Sequence, residues 1–241
     1  MNETKQKILS QLKHGIIVSC QMEKHAPCYS DEIVELMAKA TLWGGAVGLR
    51  LNGIENIKKI RSFTEVPIIG LVKVFREDSE VFMTPSMQYV DAVIEAGANI
   101  VAIDGTSRLI DGVPANHIIK EIKNKYSEIL VFADVRNIED ALESIKLGAD
   151  IVAPTFYRFD KNAKSTDLPD WEMFAHMCQV VKDRAIVMME GKVWSPDDAI
   201  KAFHYGAYSV VVGSAITRPH LITQRFVDHV KGFPTKRKLI Y

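Results

Sequence analysis

The sequence has little of what would mark a secreted, membrane-bound or nucleic-acid-binding protein. Its three cysteines, Cys20, Cys28 and Cys178, have neither C-x-x-C spacing nor a histidine spaced to complete a zinc site, which indicates reduced thiols used for packing. The 30 basic and 30 acidic side chains cancel, so no net charge attracts nucleic acid or an anionic membrane. No run reaches the roughly 18 apolar residues of a membrane span, and the charged amino terminus is unlike a signal peptide. We therefore expect a cytoplasmic protein that binds a small ligand and neither nucleic acid nor membrane.

Short apolar, β-rich runs alternate with longer amphipathic ones along the chain, which is typical of repeated βα units and a parallel sheet. The eight predicted strands read GIIVSCQ, AVGLR, PIIGLVKVFR, NIVAID, ILVFADV, IVAPTF, AIVMMEG and SVVVG. Eight such units in 241 residues favour a single-domain (β/α)8 TIM barrel over residues 1–241. An open doubly wound sheet is less favoured, because no GxGxxG follows the first strand and no shift in composition marks a domain boundary.

Several helix ends can also be predicted. A short helix over about residues 3–13 precedes the barrel, and a basic tail, FPTKRKLIY, follows it. Ser30 and Ser195 are good N-caps, and Gly148 is a C-terminal stop. We expect one further helix from about Thr84, with Pro85 in its first turn, and a last helix from about Pro219 to Val230.

Lys73 lies inside the apolar, β-branched run Pro67 to Arg76 and is therefore predicted near the carboxyl end of a strand buried on both faces. Burial disfavours an ammonium ion, so the pKa of such a lysine falls and its amine becomes available as a base. The alternative is that the ammonium extends past the strand end to solvent.

Other polar residues also occur at predicted strand ends. In a (β/α)8 barrel the carboxyl ends of the strands form the active site, so these side chains should converge on one mouth. They are Gln21, Arg50, Lys73, Asp104, Asp134 and Glu190, with Thr155 and Arg218 close by. A single carboxylate at a strand end often only accepts hydrogen bonds from a loop, but six polar residues at one mouth indicate a binding site.

The last two loops indicate a phosphate site. Gly191 and Gly213 allow close approach of the backbone, while Lys192 and Arg218 supply positive charge and Ser214 follows the second glycine. Barrels often bind phosphate after strands seven and eight, where helix amino termini favour anions. The glycines of either loop could alternatively serve only to turn the chain.

The runs IIVSCQ, GGAVGLRLNG, PIIGLVK, DSEVFMTPS, FADV, MMEGK and AYSVVVGSAITRP resemble, in order and spacing, the N-acetylmannosamine-6-phosphate 2-epimerase family. The resemblance covers about residues 14–230. It implies a (β/α)8 barrel that interconverts N-acetylmannosamine 6-phosphate and N-acetylglucosamine 6-phosphate in sialic acid and amino-sugar catabolism, without metal or redox cofactor.

The resemblance also implies roles for particular residues. Lys73 and Glu190 match the family's catalytic lysine and glutamate. The family's substrate-binding residues match Gln21, Arg50, Asp134 and Arg218.

Three segments depart from the family pattern. Gly191-Lys192 replaces a Gly-Arg pair, the residues after Asp104 read Gly-Thr-Ser-Arg, and APTFYRFDKNAK replaces the usual loop after strand six. The last departure bears on the sugar or acyl group accepted.

The expected chemistry is removal of the C2 proton by Lys73, with Glu190 moving a second proton; whether one or two groups handle the C2 proton is open. Three other classes are possible: a Schiff-base aldolase using Lys73 as nucleophile, a non-catalytic sugar-phosphate-binding barrel, and, less favoured, a flavin-dependent barrel.

A homodimer is also expected. Its two copies would pack through exposed aromatic residues of loops, for which the candidates are Trp43, Phe82, Phe156, Tyr157 and Trp194.

Overall fold

The computed structural model describes residues 3–22, 26, 29–81, 83–157 and 168–231. Cys28, Phe82 and the basic tail, which entered the sequence predictions, lie outside these residues. Its helices are α1 (Glu3–Leu12), α2 (Asp31–Trp43), α3 (Ile54–Arg61), α4 (Met87–Glu95), α5 (Ile118–Lys125), α6 (Ile138–Leu147), α7 (Trp171–Val181), α8 (Pro196–His204), α9 (Ser214–Thr217) and α10 (Pro219–Val230). Its strands are β1 (Ile16–Cys20), β2 (Gly48–Asn52), β3 (Ile68–Leu71), β4 (Ile100–Asp104), β5 (Leu109–Ile110), β6 (Val113–Pro114), β7 (Leu130–Asp134), β8 (Ile151–Ala153), β9 (Ile186–Val187), β10 (Met189–Glu190) and β11 (Val210–Val212).

The main sheet is parallel throughout and has the order β10-β11-β1-β2-β3-β4-β7-β8-β9. β9 and β10 are two halves of one chain segment, separated by Met188. One half pairs with β8 and the other with β11, so the sheet closes on itself. This segment is the predicted seventh strand, and the (β/α)8 barrel predicted from the sequence is confirmed.

Two apolar layers hold the barrel together. One fills the space between the sheet and the outer helices, and the other fills the barrel interior with residues such as Phe132 and Met188. The amino-terminal helix α1 contributes Leu9 and Leu12 to the inner layer and so closes the barrel at the amino ends of the strands. Tyr208 donates a hydrogen bond to the Leu9 carbonyl, which attaches α1 to the strand end before β11.

The predicted helix ends are largely confirmed. The Ser30 side chain accepts from the Ile33 amide, Ser195 forms a capping box with Asp198, and Gly148 ends α6 with a φ of 111°. The last helix has the predicted bounds. Helix α4 was predicted wrongly: it begins at Met87 with Ser86 as its N-cap.

The lysine strand was also predicted too long. β3 ends at Leu71, so Lys73 lies beyond it, in an isolated antiparallel bridge with Met83. The hydrophobic run continues past residue 71 because Val72 packs on the outer core, not because the strand continues.

The β5–β6 hairpin and the four-residue helix α9 were not predicted. In the described part of the chain, no helix is long and apolar enough to cross a membrane.

Candidate active site

A cavity of about 340 Å³ opens where the strands end. Its wall is formed by Ser19, Gln21, Arg50, Lys73, Met83, Thr155, Phe156, Glu190, Gly191, Lys192, Val193, Trp194, Val211, Gly213, Ser214 and Arg218. Ten of the twelve predicted site residues are therefore together, and the two others, Asp104 and Asp134, are not part of the wall. Parallel strands bring these residues together because all of them end at the same rim.

Arg50 is the centre of the site. Its side chain is 1% exposed, Nη1 donates to Glu190 Oε2 at 2.5 Å, and Nη2 donates to Asp134 Oδ2 at 2.9 Å. The guanidinium also lies over the Phe132 ring, 5.0 Å from its centroid. Arg50 was predicted at a strand end, but it lies in the middle of β2, and its length carries the charge across the barrel to two other strands.

Burial governs the protonation of this cluster. Burial raises the pKa of Asp134 and raises that of Glu190 to about 8, although Arg50 opposes both shifts. Two carboxylates share one guanidinium, so Asp134 further raises the pKa of Glu190 while the nearby Lys73 lowers it. A carboxyl group that titrates near neutral pH can both donate and accept a proton there.

Replacing Glu190 by glutamine should therefore change how stability depends on pH. The folded protein binds this proton more tightly than an ordinary glutamate of pKa 4.5, so wild-type stability falls as pH rises through that value towards about 8 and then levels off. The difference in unfolding free energy between wild type and Glu190→Gln should fall with pH, by at most about 1.4 kcal/mol per unit. Urea unfolding between pH 5 and 9 measures it, and a difference that rises or stays flat across this range would contradict the raised pKa.

Lys73 lies at the mouth of the cavity and is partly buried, so the expectation of a lysine within a fully buried strand was wrong. Its backbone amide donates to Asn52 Oδ1 at 2.9 Å. The side chain reaches far enough into the site to lower the pKa values of Asp134 and Glu190 through its charge. The base predicted from the sequence thus faces the carboxyl group predicted as its partner.

Asp104 has a different environment from the other strand-end carboxylate, Asp134. It accepts from the Thr106 hydroxyl at 2.6 Å and pairs with Arg108 at 2.5 Å. Arg108 in turn stacks on the ring of Phe156, which lines the cavity. Asp104 thus shapes the loop behind the cavity wall, and its predicted contact with substrate stays a prediction.

Two loops bring positive charge and backbone to the cavity. Gly191 and Lys192 both have left-handed backbone conformations, with φ values of 97° and 60°. The Lys192 ammonium lies 5.9 Å from the Tyr157 ring centroid. On the neighbouring loop, a Cβ on Gly213 would lie 3.3 Å from that of Ser19, so the chain passes close to β1.

The sequence reasoning missed some cavity residues. Ser19 is two residues before Gln21 and accepts a hydrogen bond from its side chain at 2.9 Å. The alternation of side chains along a strand could have indicated Ser19. Met83, whose sulfur accepts from Arg50 Nη2 at 3.4 Å, had no such signal because its segment was assigned to a loop before a helix.

Arg50 Nε, a buried polar atom at the cavity, makes no hydrogen bond to another described residue. Buried polar atoms without partners are costly, so such atoms beside a cavity are candidate contacts for a polar ligand. No group of three or more His, Cys, Asp or Glu side chains among residues 3–22, 26, 29–81, 83–157 and 168–231 is arranged to hold a metal. The expected independence from metal and cofactor stays a prediction.

The fold and the cavity together define a (β/α)8-barrel enzyme whose pocket combines a lysine and a buried glutamate with further cationic and polar groups. Residues 34–232 match the family model described as "Putative N-acetylmannosamine-6-phosphate epimerase". The chain belongs to this family of carbohydrate epimerases.

Individual relatives agree with this membership. A "Putative N-acetylmannosamine-6-phosphate 2-epimerase" of Caldanaerobacter subterraneus is 43% identical over 93% of this chain and 94% of that protein. A protein of the same name from Clostridioides difficile is 40% identical over 93% of this chain and 99% of its own length. The solved N-acetylmannosamine-6-phosphate 2-epimerase from Clostridium perfringens is 35% identical, with a TM-score of 0.85 over 92% of this chain and 96% of its own. Thiamine phosphate pyrophosphorylase from Pyrococcus furiosus, 19% identical with a TM-score of 0.57, shares the fold.

Proposed function

We propose that this protein interconverts N-acetylmannosamine 6-phosphate and N-acetylglucosamine 6-phosphate in sialic acid and amino-sugar catabolism. The observation that carries the proposal is Lys73 and Glu190 on one small cavity, in a chain of the epimerase family. Epimerisation at C2 removes a proton next to the carbonyl of the open-chain sugar and returns one to the opposite face. That reaction requires a base, an acid and groups that hold the sugar in place.

Lys73 is the base in this proposal, and Glu190 moves the second proton. After taking the C2 proton, Lys73 is an ammonium ion beside the enolate and stabilises its negative charge. The raised pKa of Glu190, caused by burial, suits donation at the opposite face of C2 or at the sugar oxygens during ring opening.

Arg50, Gln21, Thr155 and Asp134 hold the sugar in this proposal. Their support comes from position: Arg50, Gln21 and Thr155 line the cavity, and buried Asp134 is hydrogen-bonded to Arg50. Arg50 already pairs with both carboxylates, so its main contribution is to keep Glu190 and Asp134 in fixed geometry.

The phosphate is proposed to bind on the opposite side, between the loops of Gly191-Lys192 and Gly213-Ser214, with Arg218 as a second cation. The unphosphorylated sugar should bind at least about 100-fold more weakly, because it loses two or more charge-assisted hydrogen bonds of about 1.5 kcal/mol or more each. Calorimetric titration of a Lys73→Met variant, in which turnover should be slowed about 10²- to 10⁴-fold, measures both affinities.

Lys192→Met is the control for this comparison. It should weaken binding of the 6-phosphate and leave binding of the unphosphorylated sugar nearly unchanged. Equal affinities for the two sugars in the parent protein would contradict the phosphate site.

Proton NMR of the purified protein with N-acetylmannosamine 6-phosphate in D2O, with no added metal or cofactor, tests the activity. Formation of N-acetylglucosamine 6-phosphate carrying deuterium at C2 is the expected result. Product without deuterium would argue against an exchanging C2 proton, and no conversion by folded protein would overturn the proposed function.

The homodimer predicted from the sequence finds support in α10 and in one of the predicted aromatics, Trp43, at the end of α2. Helix α10 has no buried residue and exposes Phe226 and Val230, with 71% and 63% of their surface accessible. Of the loop aromatics, Trp43 is exposed, whereas Phe156 is buried and Trp194 lines the cavity. A second copy packing on α10 is part of the proposal, and the cytoplasmic location stays a prediction.

A further inference from the structure

The structure raises the question of what holds Lys73 in place, since β3 ends two residues before it. β3 pairs with β4 at Ile69 with Ile100 and at Gly70 with Val101. Beyond these pairs the two strands separate towards the cavity, and the segment of Met83 and Thr84 lies between them. The base of the proposed reaction is therefore supported by an inserted loop segment and not by a regular ladder.

Thr84 joins the separated strand ends. Its hydroxyl accepts from the Val72 amide at 3.2 Å and donates to the Ala102 carbonyl at 2.7 Å. Its own amide donates to the Val72 carbonyl at 2.7 Å. One threonine thus links the residue before Lys73 to β4 by three hydrogen bonds, and it is 1% exposed.

The backbone of Thr84 has a φ of 45°, a conformation that a β-branched residue rarely adopts. Such a conformation is unfavourable in isolation and persists where surrounding contacts determine it. Here the three hydrogen bonds do so, because they require the hydroxyl and the amide to face the two strands at once.

Two neighbours complete the support. Asn52 Oδ1 accepts from the Lys73 amide at 2.9 Å, and Met83 forms a bridge with Lys73. The Met83 carbonyl accepts from the Asp104 amide at 3.3 Å, while its sulfur contacts Arg50. The same inserted segment therefore contacts Lys73, Arg50 and the end of β4.

We infer that Thr84, together with Asn52, is a positioning residue that holds Lys73 at the mouth of the cavity. Neither side chain touches the reacting atoms; Thr84 acts through the backbone of Val72, and Asn52 acts through the backbone amide of Lys73. The consequence for turnover rests on the proposed function, but the structural support of residues 72 and 73 does not.

The test compares Thr84→Val with Thr84→Ser. Valine keeps the shape and branching of threonine and removes only the hydroxyl, whereas serine keeps the hydroxyl. Thr84→Val should lower kcat about 10- to 100-fold with KM changed by less than about threefold, because misplacing a catalytic group mainly affects the transition state. Thr84→Ser should recover most of the lost kcat.

Thr41→Val is the matched control and should leave kcat nearly unchanged. The Thr41 hydroxyl also donates to a backbone carbonyl, that of Ala38 at 3.1 Å, but it lies on the outer helix α2.

A purely structural role for Thr84 would lower the melting temperature without this split between kcat and KM. A kcat for folded Thr84→Val within twofold of wild type, or a Thr84→Ser variant as slow as Thr84→Val, would overturn the inference. If Thr84→Val does not fold, Asn52→Ala carries the test: a lowered kcat with little change in KM supports the inference, and wild-type kcat overturns it.

Hydrogen exchange separates this inference from the proposed function. The Val72 amide should exchange faster in Thr84→Val, and the Lys73 amide faster in Asn52→Ala, whatever the substrate is. If wild-type protein does not interconvert the two sugar phosphates, the proposed function fails, and unchanged exchange at these amides would separately overturn the positioning role.

Discussion

Replacing Lys73 by methionine is expected to lower kcat for interconversion of the two sugar phosphates by about 10²- to 10⁴-fold, the usual contribution of a general base. Methionine keeps most of the apolar stem that lines the cavity and removes the amine. The substrate should still bind, with KM changed much less than kcat, because the amine acts chiefly in the transition state. Proton NMR in D2O measures turnover and exchange of the C2 proton in the same experiment.

Lys192→Met is the comparison for this variant, because Lys192 is a second lysine on the same cavity. It should raise KM more than it lowers kcat, since its proposed partner is the phosphate and not C2. A Lys73→Met variant that retains more than about a tenth of wild-type kcat would argue against the role of Lys73 as base.

Replacing Arg50 by methionine should have the largest effect on stability, a loss of about 3–5 kcal/mol near pH 7.5. Arg50 is 1% exposed and is hydrogen-bonded to both Asp134 and Glu190, so its removal leaves two buried carboxyl groups without their cation. The pKa values of both carboxyl groups, already raised by burial, should rise further in the variant. Chemical denaturation at several pH values measures the effect.

The pH dependence of this effect has a defined sign. In Arg50→Met the folded state binds protons more tightly than the unfolded chain, so its stability should fall as pH rises and recover towards pH 5. Adding Glu190→Gln should restore part of the lost stability at higher pH, because glutamine replaces a buried carboxyl group that must otherwise bind a proton or carry an unpaired charge. Lys39→Met, which breaks the exposed ion pair with Glu35, is the control and should change little. Wild-type stability of Arg50→Met at pH 7.5 would contradict the central role of this cluster.

The sequence predicted most of the fold because its signals are local. Hydrophobic runs, N-caps such as Ser30 and Ser195, and the Gly148 stop each depend on a few neighbouring residues, and eight repeats of one unit close into one architecture. The prediction failed where a local pattern had two explanations. The apolar residues on both sides of Lys73 are compatible with a strand, but Val72 packs outside the sheet and its backbone pairs with Thr84 instead of extending β3 along β4.

The candidate site was predicted in part for a related reason. Residues at the ends of parallel strands converge whatever their partners are, so Gln21, Lys73 and Glu190 were placed on one cavity from their positions alone. The different roles of Asp104 and Asp134 could not be predicted in this way. Both end a strand, yet one pairs with Arg108 in its own loop and the other with Arg50 from across the barrel.

The sequence by itself determined the barrel, the family and the set of polar residues at its mouth. The tertiary structure alone decided which of them interact. Arg50 is hydrogen-bonded to Asp134 and Glu190, which follow it in the chain by 84 and 140 positions. Lys73 is positioned by the segment that contains Thr84, which lies beyond its own strand. The physical reason is that burial and ion pairing depend on which strands face each other after the barrel closes. Local patterns specify strands and helices, but the charge states of Asp134 and Glu190 depend on the closed barrel around them.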